Sequence, residues 1–205
     1  MEAAIRGFHR KGQNMELYIA RHGETEFNLE RRIQGGGKDS PLTPKGIEQA
    51  KAMGKSLEGI TFDAVYSSPL KRATDTVALA FGGKYQPILD PRLKEIGMGV
   101  IEGMRWEDAL EAYPEWAAKS SPANPTPPPK GEQLQDMFDR VSGFMDDLAA
   151  AGHQKVFVLT HGYTLRVFQA CAVDRTVATI QKSRDYKNCD VARYNYKDDK
   201  WEMLE

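Results

Sequence analysis

The feature that most constrains this chain is a pattern met three times, in which a short apolar run stops at a polar turn and helix-like periodicity resumes beyond it. Residues 16–20, ELYIA, end on Arg21-His22-Gly23. Residues 64–66, AVY, end on Ser67-Ser68-Pro69, and a helical pattern follows over 70–81. Residues 155–160, KVFVLT, end on His161-Gly162, with a helix predicted from about Thr164 to Ala172. Apolar runs of this length without alternation are the mark of strands buried on both faces, and strands joined through helices run parallel. The chain is therefore predicted to be α/β, with a mainly parallel sheet covered on both sides.

Local signals fill in the rest. Thr43 is placed to cap a helix that Pro44 opens and that runs to about Leu57, with Ile47, Ala50, Met53, Gly54 and Leu57 on one face. A further helix is predicted from about Glu132 to Ala150, stopped by Gly152. Residues 190–196 and 200–204, joined through Lys197-Asp198-Asp199, read as a terminal hairpin. Between Gly97 and Gly131 the periodicity fails while Trp106, Tyr113, Trp116 and the run Pro125 to Pro129 accumulate. Long irregular excursions in compact domains usually carry function, so this one is read as a lid with one short helix near 106–112. The alternative is a second, less regular packing layer.

At 205 residues with 40% hydrophobic content, the chain suits one compact domain, taken here as 15–205. The first fourteen residues carry Arg6, Arg10 and Lys11 without an apolar segment, and are read as a disordered leader or extension rather than a secretory signal. A net charge of -1 gives no reason to expect nucleic-acid or membrane-surface binding. Cys171 and Cys189 are the only cysteines, too few for a disulfide framework, so a reducing cytoplasm is the expected compartment. No apolar run approaches the roughly 20 residues that cross a bilayer.

Chemistry is expected where the strands end. His22 and His161 each follow a strand and precede a glycine, so a parallel sheet brings both to its C-terminal edge, where open α/β sheets bind ligands. Arg21 lies beside His22, and Arg72 begins the helix after the second strand, so two guanidinium forks are expected to converge on one small anion. Taken singly, each of these residues could serve structure alone.

Together they form a recognisable set: RHGET at 21–25, Asn28, Gln34-Gly35, PLT at 41–43, SSPLKRA at 67–73, LKE at 93–95 and THG at 160–162. This ordered set resembles the histidine phosphatase superfamily, in its phosphoglycerate mutase-like branch, and more the phosphatases than the mutases of that branch. The resemblance implies a three-layer α/β/α sandwich and hydrolysis of a small-molecule phosphate monoester through a phosphohistidine, with no metal or other cofactor. It further implies that His22 is the nucleophile and that Arg21, Arg72 and His161 hold the phosphoryl oxygens. Asn28, Gln34, Gly35 and Gly162 are implied as further substrate contacts. Glu95 is implied as the proton donor and acceptor, and Glu102 as structural support.

Such chemistry needs His22 to offer one neutral ring nitrogen while the other is held as a donor, and a backbone carbonyl is expected to hold it. His153 is expected to face a helix end from the surface. Three alternatives stay open at this point: mutase-type phosphoryl transfer, a noncatalytic phosphate-recognition module, and a metal site built on the two histidines, against which the flanking arginines argue. The leaving-group pocket depends on the lid. If Met98, Met104, Trp106, Tyr113, Trp116 and Tyr163 face inward, small aromatic or apolar monoesters are favoured; if Lys38, Lys130 or Arg92 do, sugar phosphates or phosphorylated acids; a nucleoside monophosphate is a third class left open.

Overall fold

The computed structural model describes residues 14–120 and 126–204. Its strands are β1 (Asn14–Arg21), β2 (Ala64–Ser67), β3 (Ile88–Leu89), β4 (Lys155–Thr160), β5 (Val191–Lys197) and β6 (Lys200–Met203). They form a single sheet in the order β3-β2-β4-β1-β5-β6. β1, β2, β3 and β4 run parallel, while β5 pairs antiparallel with β1 and β6 with β5. The mainly parallel sheet expected from the three apolar runs is thus present, with an antiparallel hairpin added at one edge.

The strand sequences explain how both faces are covered. Met15, Leu17 and Ile19 of β1, with Val156 and Val158 of β4, point into one core. That core is closed by α6 (Leu134–Ala150) and α7 (Gly162–Val173), through Met137, Val141, Phe144 and Phe168 among others. The intervening Tyr18, Ala20, Phe157 and Leu159 enter the opposite core against α2 (Pro44–Ser56) and α3 (Lys71–Phe81). Successive side chains alternate across a strand, so these uninterrupted apolar runs require a layer on each side. The result is a three-layer α/β/α sandwich.

Local boundaries follow local chemistry. The Thr43 side chain accepts the Gly46 N–H at 3.0 Å, and Pro44 occupies the first turn of α2. Asp198 and Asp199, at φ 51° and 60°, make the tight turn between β5 and β6, as a primed two-residue hairpin turn requires. β1 begins at Asn14, one residue inside the segment read as leader; the rest of that segment, residues 1–13 including His9, lies outside the described residues.

The excursion between Gly97 and Gly131 holds more structure than its sequence predicted. The expected helix is α4 (Trp106–Ala112), but a second one, α5 (Pro114–Lys119), follows it directly. Tyr113, at φ -129° and ψ 62°, breaks the two apart, and Pro114 restarts the chain as a helix of six residues, too short to register as periodicity. Ile33, Ile101, Ala109 and Trp116 bury one another beneath it. The excursion therefore packs on a small hydrophobic cluster. The short helix α1 (Glu26–Leu29) and the two-residue edge strand β3 were likewise below the resolution of sequence pattern.

Candidate active site

Strand register assembles the site. Arg21 of β1 pairs with Thr160 of β4, and Ser67 of β2 with Leu159, so the residues that follow each strand emerge side by side at one sheet edge. His22 and His161 have ring centroids 5.2 Å apart, and Ser68 lies beside them. Gly23 allows this edge to sit tight on α2: a Cβ there would lie 2.6 Å from the Gly46 carbonyl oxygen. Both histidines and Arg72 are buried.

Hydrogen bonds fix the proton positions on the two rings. His22 Nδ1 lies 2.7 Å from the Gly23 carbonyl oxygen, which can only accept, so Nδ1 carries the proton and Nε2 is a bare acceptor. Arg72 Nε donates to His22 Nε2 at 3.3 Å and to His161 Nδ1 at 3.2 Å. His161 Nδ1 is therefore the acceptor of its ring, and its Nε2–H donates to Ser68 Oγ at 2.7 Å. Both rings are neutral in this arrangement. Electrostatics agree: each imidazole is held well below its ordinary pKa, first by burial and then by the nearby guanidinium groups of Arg72 and Arg21.

The two arginines are used differently from the converging forks expected. Arg72 presents only Nε to the histidines. Its fork is spent on the loop before α2, where Nη1 donates to Lys38 O and Asp39 Oδ1, each at 3.0 Å, and Nη2 to Gly35 O at 2.9 Å. Arg21 donates from Nη1 to Tyr186 O at 2.7 Å, while its buried Nε has no hydrogen-bond partner among the described residues. It crosses the first turn of α7 in van der Waals range of Gly162, where a Cβ would lie 3.4 Å from Arg21 Cζ. Burial lowers the Arg21 pKa despite the neighbouring carboxylate of Glu95.

Glu95 sits at the N-terminus of α7. Its Oε1 accepts from the Ile96 and Thr164 N–H groups at 3.0 and 3.2 Å, and Oε2 from the Tyr163 N–H at 3.1 Å. Glu102 instead braces the loop of Gly35 to Gly37, accepting the Gly37 N–H at 3.0 Å and the Met98 N–H at 2.9 Å. Asn28 closes a capping box with Thr25, and the Gln34 side chain donates to Thr25 Oγ1 at 2.6 Å.

His22, Arg21, Arg72, Glu95, Asn28, Gln34, Gly35 and Gly162 all line one cavity of about 640 Å³. His161 lies behind its floor and reaches the cavity through Arg72. The outer wall is largely apolar, with Ile33, Met98, Trp106, Leu110 and Trp116, and Tyr163 closes one side. Trp106 and Leu110 are each 47% exposed despite their size. Met104 and Tyr113 pack in the small core of the excursion instead, and Lys38, Lys130 and Arg92 do not line the cavity. His153, just beyond the end of α6, has its Nε2 3.3 Å from the Tyr66 phenolic oxygen.

Several contributors escaped the sequence reading. Asp39 pairs with Arg72, Ser68 receives His161, and Asn188 Nδ2 donates to His22 O at 3.0 Å. Tyr186, 165 positions away from Arg21, positions it through a main-chain oxygen. None of these partners shares a local pattern with the residue it holds. Among the described residues no group of three or more His, Cys, Asp or Glu is arranged to bind a metal ion, and no helix is long and apolar enough to cross a membrane.

Comparison with known proteins places this geometry in context. Residues 17–205 match the family model described as the histidine phosphatase superfamily, branch 1. The chain is 31% identical over 195 residues to the "probable phosphoglycerate mutase GpmB" of Cronobacter sakazakii, covering 91% of this chain and 87% of that one. The protein of the same name from Salmonella choleraesuis is 32% identical over 197 residues, with the same coverage. Among solved structures, Bacillus stearothermophilus YhfR superposes with a TM-score of 0.83 at 30% identity, covering 93% of this chain and 95% of that chain. The alpha-ribazole phosphatase from Shigella flexneri superposes with a TM-score of 0.82 at 25% identity and the same coverage.

Proposed function

Because the chain belongs to the histidine phosphatase superfamily, we propose that it hydrolyses small-molecule phosphate monoesters without a metal, through a phosphohistidine on His22. The observation that carries this reading is the unprotonated Nε2 of His22 at the cavity floor, which accepts only the long, shared Nε–H of Arg72 among the described residues, together with an Arg21 Nε that has no partner among them. A nucleophile must offer a lone pair, and a developing phosphoryl charge must meet fixed cations. Both requirements are met within one buried cluster.

In the first step the His22 Nε2 lone pair attacks phosphorus, the N–P bond forms and the bond to the leaving oxygen breaks. The leaving oxygen takes a proton from the Glu95 carboxyl group. In the second step Glu95 takes a proton from water as the water oxygen attacks phosphorus, the N–P bond breaks, and inorganic phosphate leaves with His22 neutral again. Glu95 is suited to this exchange. Of the carboxyl groups lining the cavity, Glu132 is paired with Arg140 at 2.6 Å and Asp185 is 91% exposed, whereas Glu95 has no cationic side chain bonded to it among the described residues. Oε2 accepts only the Tyr163 N–H among the described residues and retains capacity to carry a proton.

Two guanidinium groups, the buried Arg72 and the half-buried Arg21, replace a divalent cation electrostatically and would repel one. The apolar wall of Trp106, Leu110 and Trp116 favours a leaving group with an aromatic or aliphatic body. The reading carries a cytoplasmic location and no nucleic-acid or membrane partner. Mutase-type transfer is the second reading, favoured by the names of the curated relatives.

Rapid quenching into alkaline denaturant, which spares the acid-labile N–P bond, with an aryl phosphate labelled on its phosphoryl group and chelator present, tests both. Label on the wild type but not on His22→Ala, followed by release to water, is the expected result. Label passing from His22 to an added phosphoglycerate faster than to water would favour the mutase, and turnover abolished by the chelator would overturn the metal-free mechanism.

A further inference from the structure

Beyond the phosphate cluster, the cavity has a second cationic pole. Arg166 lies on α7 one turn past Tyr163 and lines the same cavity as His22 and Glu95. Its guanidinium is incompletely satisfied. Nε is buried with no hydrogen-bond partner among the described residues, and Nη2 is held by Ile180 O at 3.2 Å. Among the described residues the one partner of Nη1 is Asp185, at 3.5 Å, and that carboxylate is 91% exposed. An exposed pair at such a distance contributes little. The Tyr163 ring lies 5.4 Å from Arg166 Cζ and steadies the group from one side.

Arg32, the other cation on the outer wall, differs. Its Nε is paired with Glu30 and its Nη1 donates to Gly103 O at 2.9 Å, so it braces the excursion. Arg166 alone combines a firm anchor at one nitrogen with a weakly held, replaceable partner at another.

We propose that Arg166 is a subsite for a second anionic group on the substrate, a carboxylate or a second phosphoryl group on the leaving-group side. The anion displaces Asp185 from Nη1 while the bond to Ile180 O stays intact. The favoured substrate then has an apolar body against α4, a phosphate at His22 and an oxyanion at Arg166. This rests on the cavity being the hydrolytic site proposed above.

The test compares phenyl phosphate with 4-carboxyphenyl phosphate and 1,4-phenylene bisphosphate, on wild type, Arg166→Gln and Arg166→Lys. One charge-assisted hydrogen bond predicts about a tenfold higher kcat/KM for at least one of the charged esters on the wild type. Arg166→Gln is expected to abolish that preference while leaving phenyl phosphate within about twofold, and Arg166→Lys to restore part of it. Which charged ester is preferred identifies the anion. Equal rates on all three esters, or a loss in Arg166→Gln that falls equally on phenyl phosphate, would overturn the subsite. If no ester turns over, the hydrolytic reading has failed, and calorimetric binding of the same compounds still decides the subsite by the same ratio.

Discussion

Lowering the pH from 7.5 to 5.5 should destabilise this protein by an amount set by two histidines. His22 and His161 are both held well below the ordinary imidazole pKa, by burial first and by Arg72 next. In the unfolded chain each returns to about 6.5. Below that value the unfolded state takes up protons that the folded state refuses, so unfolding gains free energy as pH falls; the stability is fully present above the unfolded pKa and is lost toward the folded one. Between pH 7.5 and 5.5 a single such histidine costs about 1.4 kcal/mol and the pair about 2.7 kcal/mol, provided both folded values stay below the window. Carboxylates with lowered pKa, such as Glu24, Asp63 and Asp90, begin to contribute only nearer pH 4 and leave this window almost clean. The assay is urea unfolding at pH 7.5, 6.5 and 5.5 for wild type, His22→Gln, His161→Gln and the double variant. Each single variant should lose about half of the pH-dependent part, and the double variant nearly all of it. A wild type whose stability is flat across the window, or a double variant that keeps the full slope, would refute the argument that these rings are buried neutral.

Other outcomes follow from single contacts. Gly54→Ala should destabilise despite the roughly 1 kcal/mol that alanine gains over glycine in a helix, because its Cβ would collide with the Ala80 carbonyl oxygen where α2 meets α3; a rise in the thermal midpoint would show that the helices can part freely. Asp39→Asn removes the only carboxylate bonded to the buried Arg72 among the described residues. With Asp39 itself 27% exposed, a loss of about 2 kcal/mol in urea unfolding is expected, below the full cost of breaking a buried pair. Burial pushes the thiols of Cys171 and Cys189 up to about 12, so iodoacetamide at pH 8 should leave monoester turnover intact over an hour. Rapid inactivation matched by alkylation of Cys189 would show that its loop opens in solution.

How much was legible beforehand depended on the range of the forces involved. The strand Lys155–Thr160 was read to the residue, the helix Trp106–Ala112 stands near where it was expected, and the helices beginning at Pro44 and Lys71 were read to within one residue at either end. Each is specified by neighbours in sequence: an apolar run, a cap, a proline at the first turn. The helix Pro114–Lys119 and the edge strand Ile88–Leu89 were missed because six and two residues are too few to display a period.

At the site, the sequence alone determined that Arg21, His22 and His161 stand at strand ends and that Arg72 opens the helix after the second strand, because strand and turn signals are local and a parallel sheet collects its strand ends on one edge. Only the tertiary structure decided what those residues do to one another. Arg72 spends its fork on Gly35, Lys38 and Asp39, 33 to 37 positions away, and so offers the histidines a single Nε–H. That one donor, with Gly23 O on one ring and Ser68 Oγ on the other, selects opposite tautomers for two histidines in similar sequence settings. A tautomer is set by whichever donor or acceptor the fold carries to each ring nitrogen, and those partners are near in space without being near in sequence.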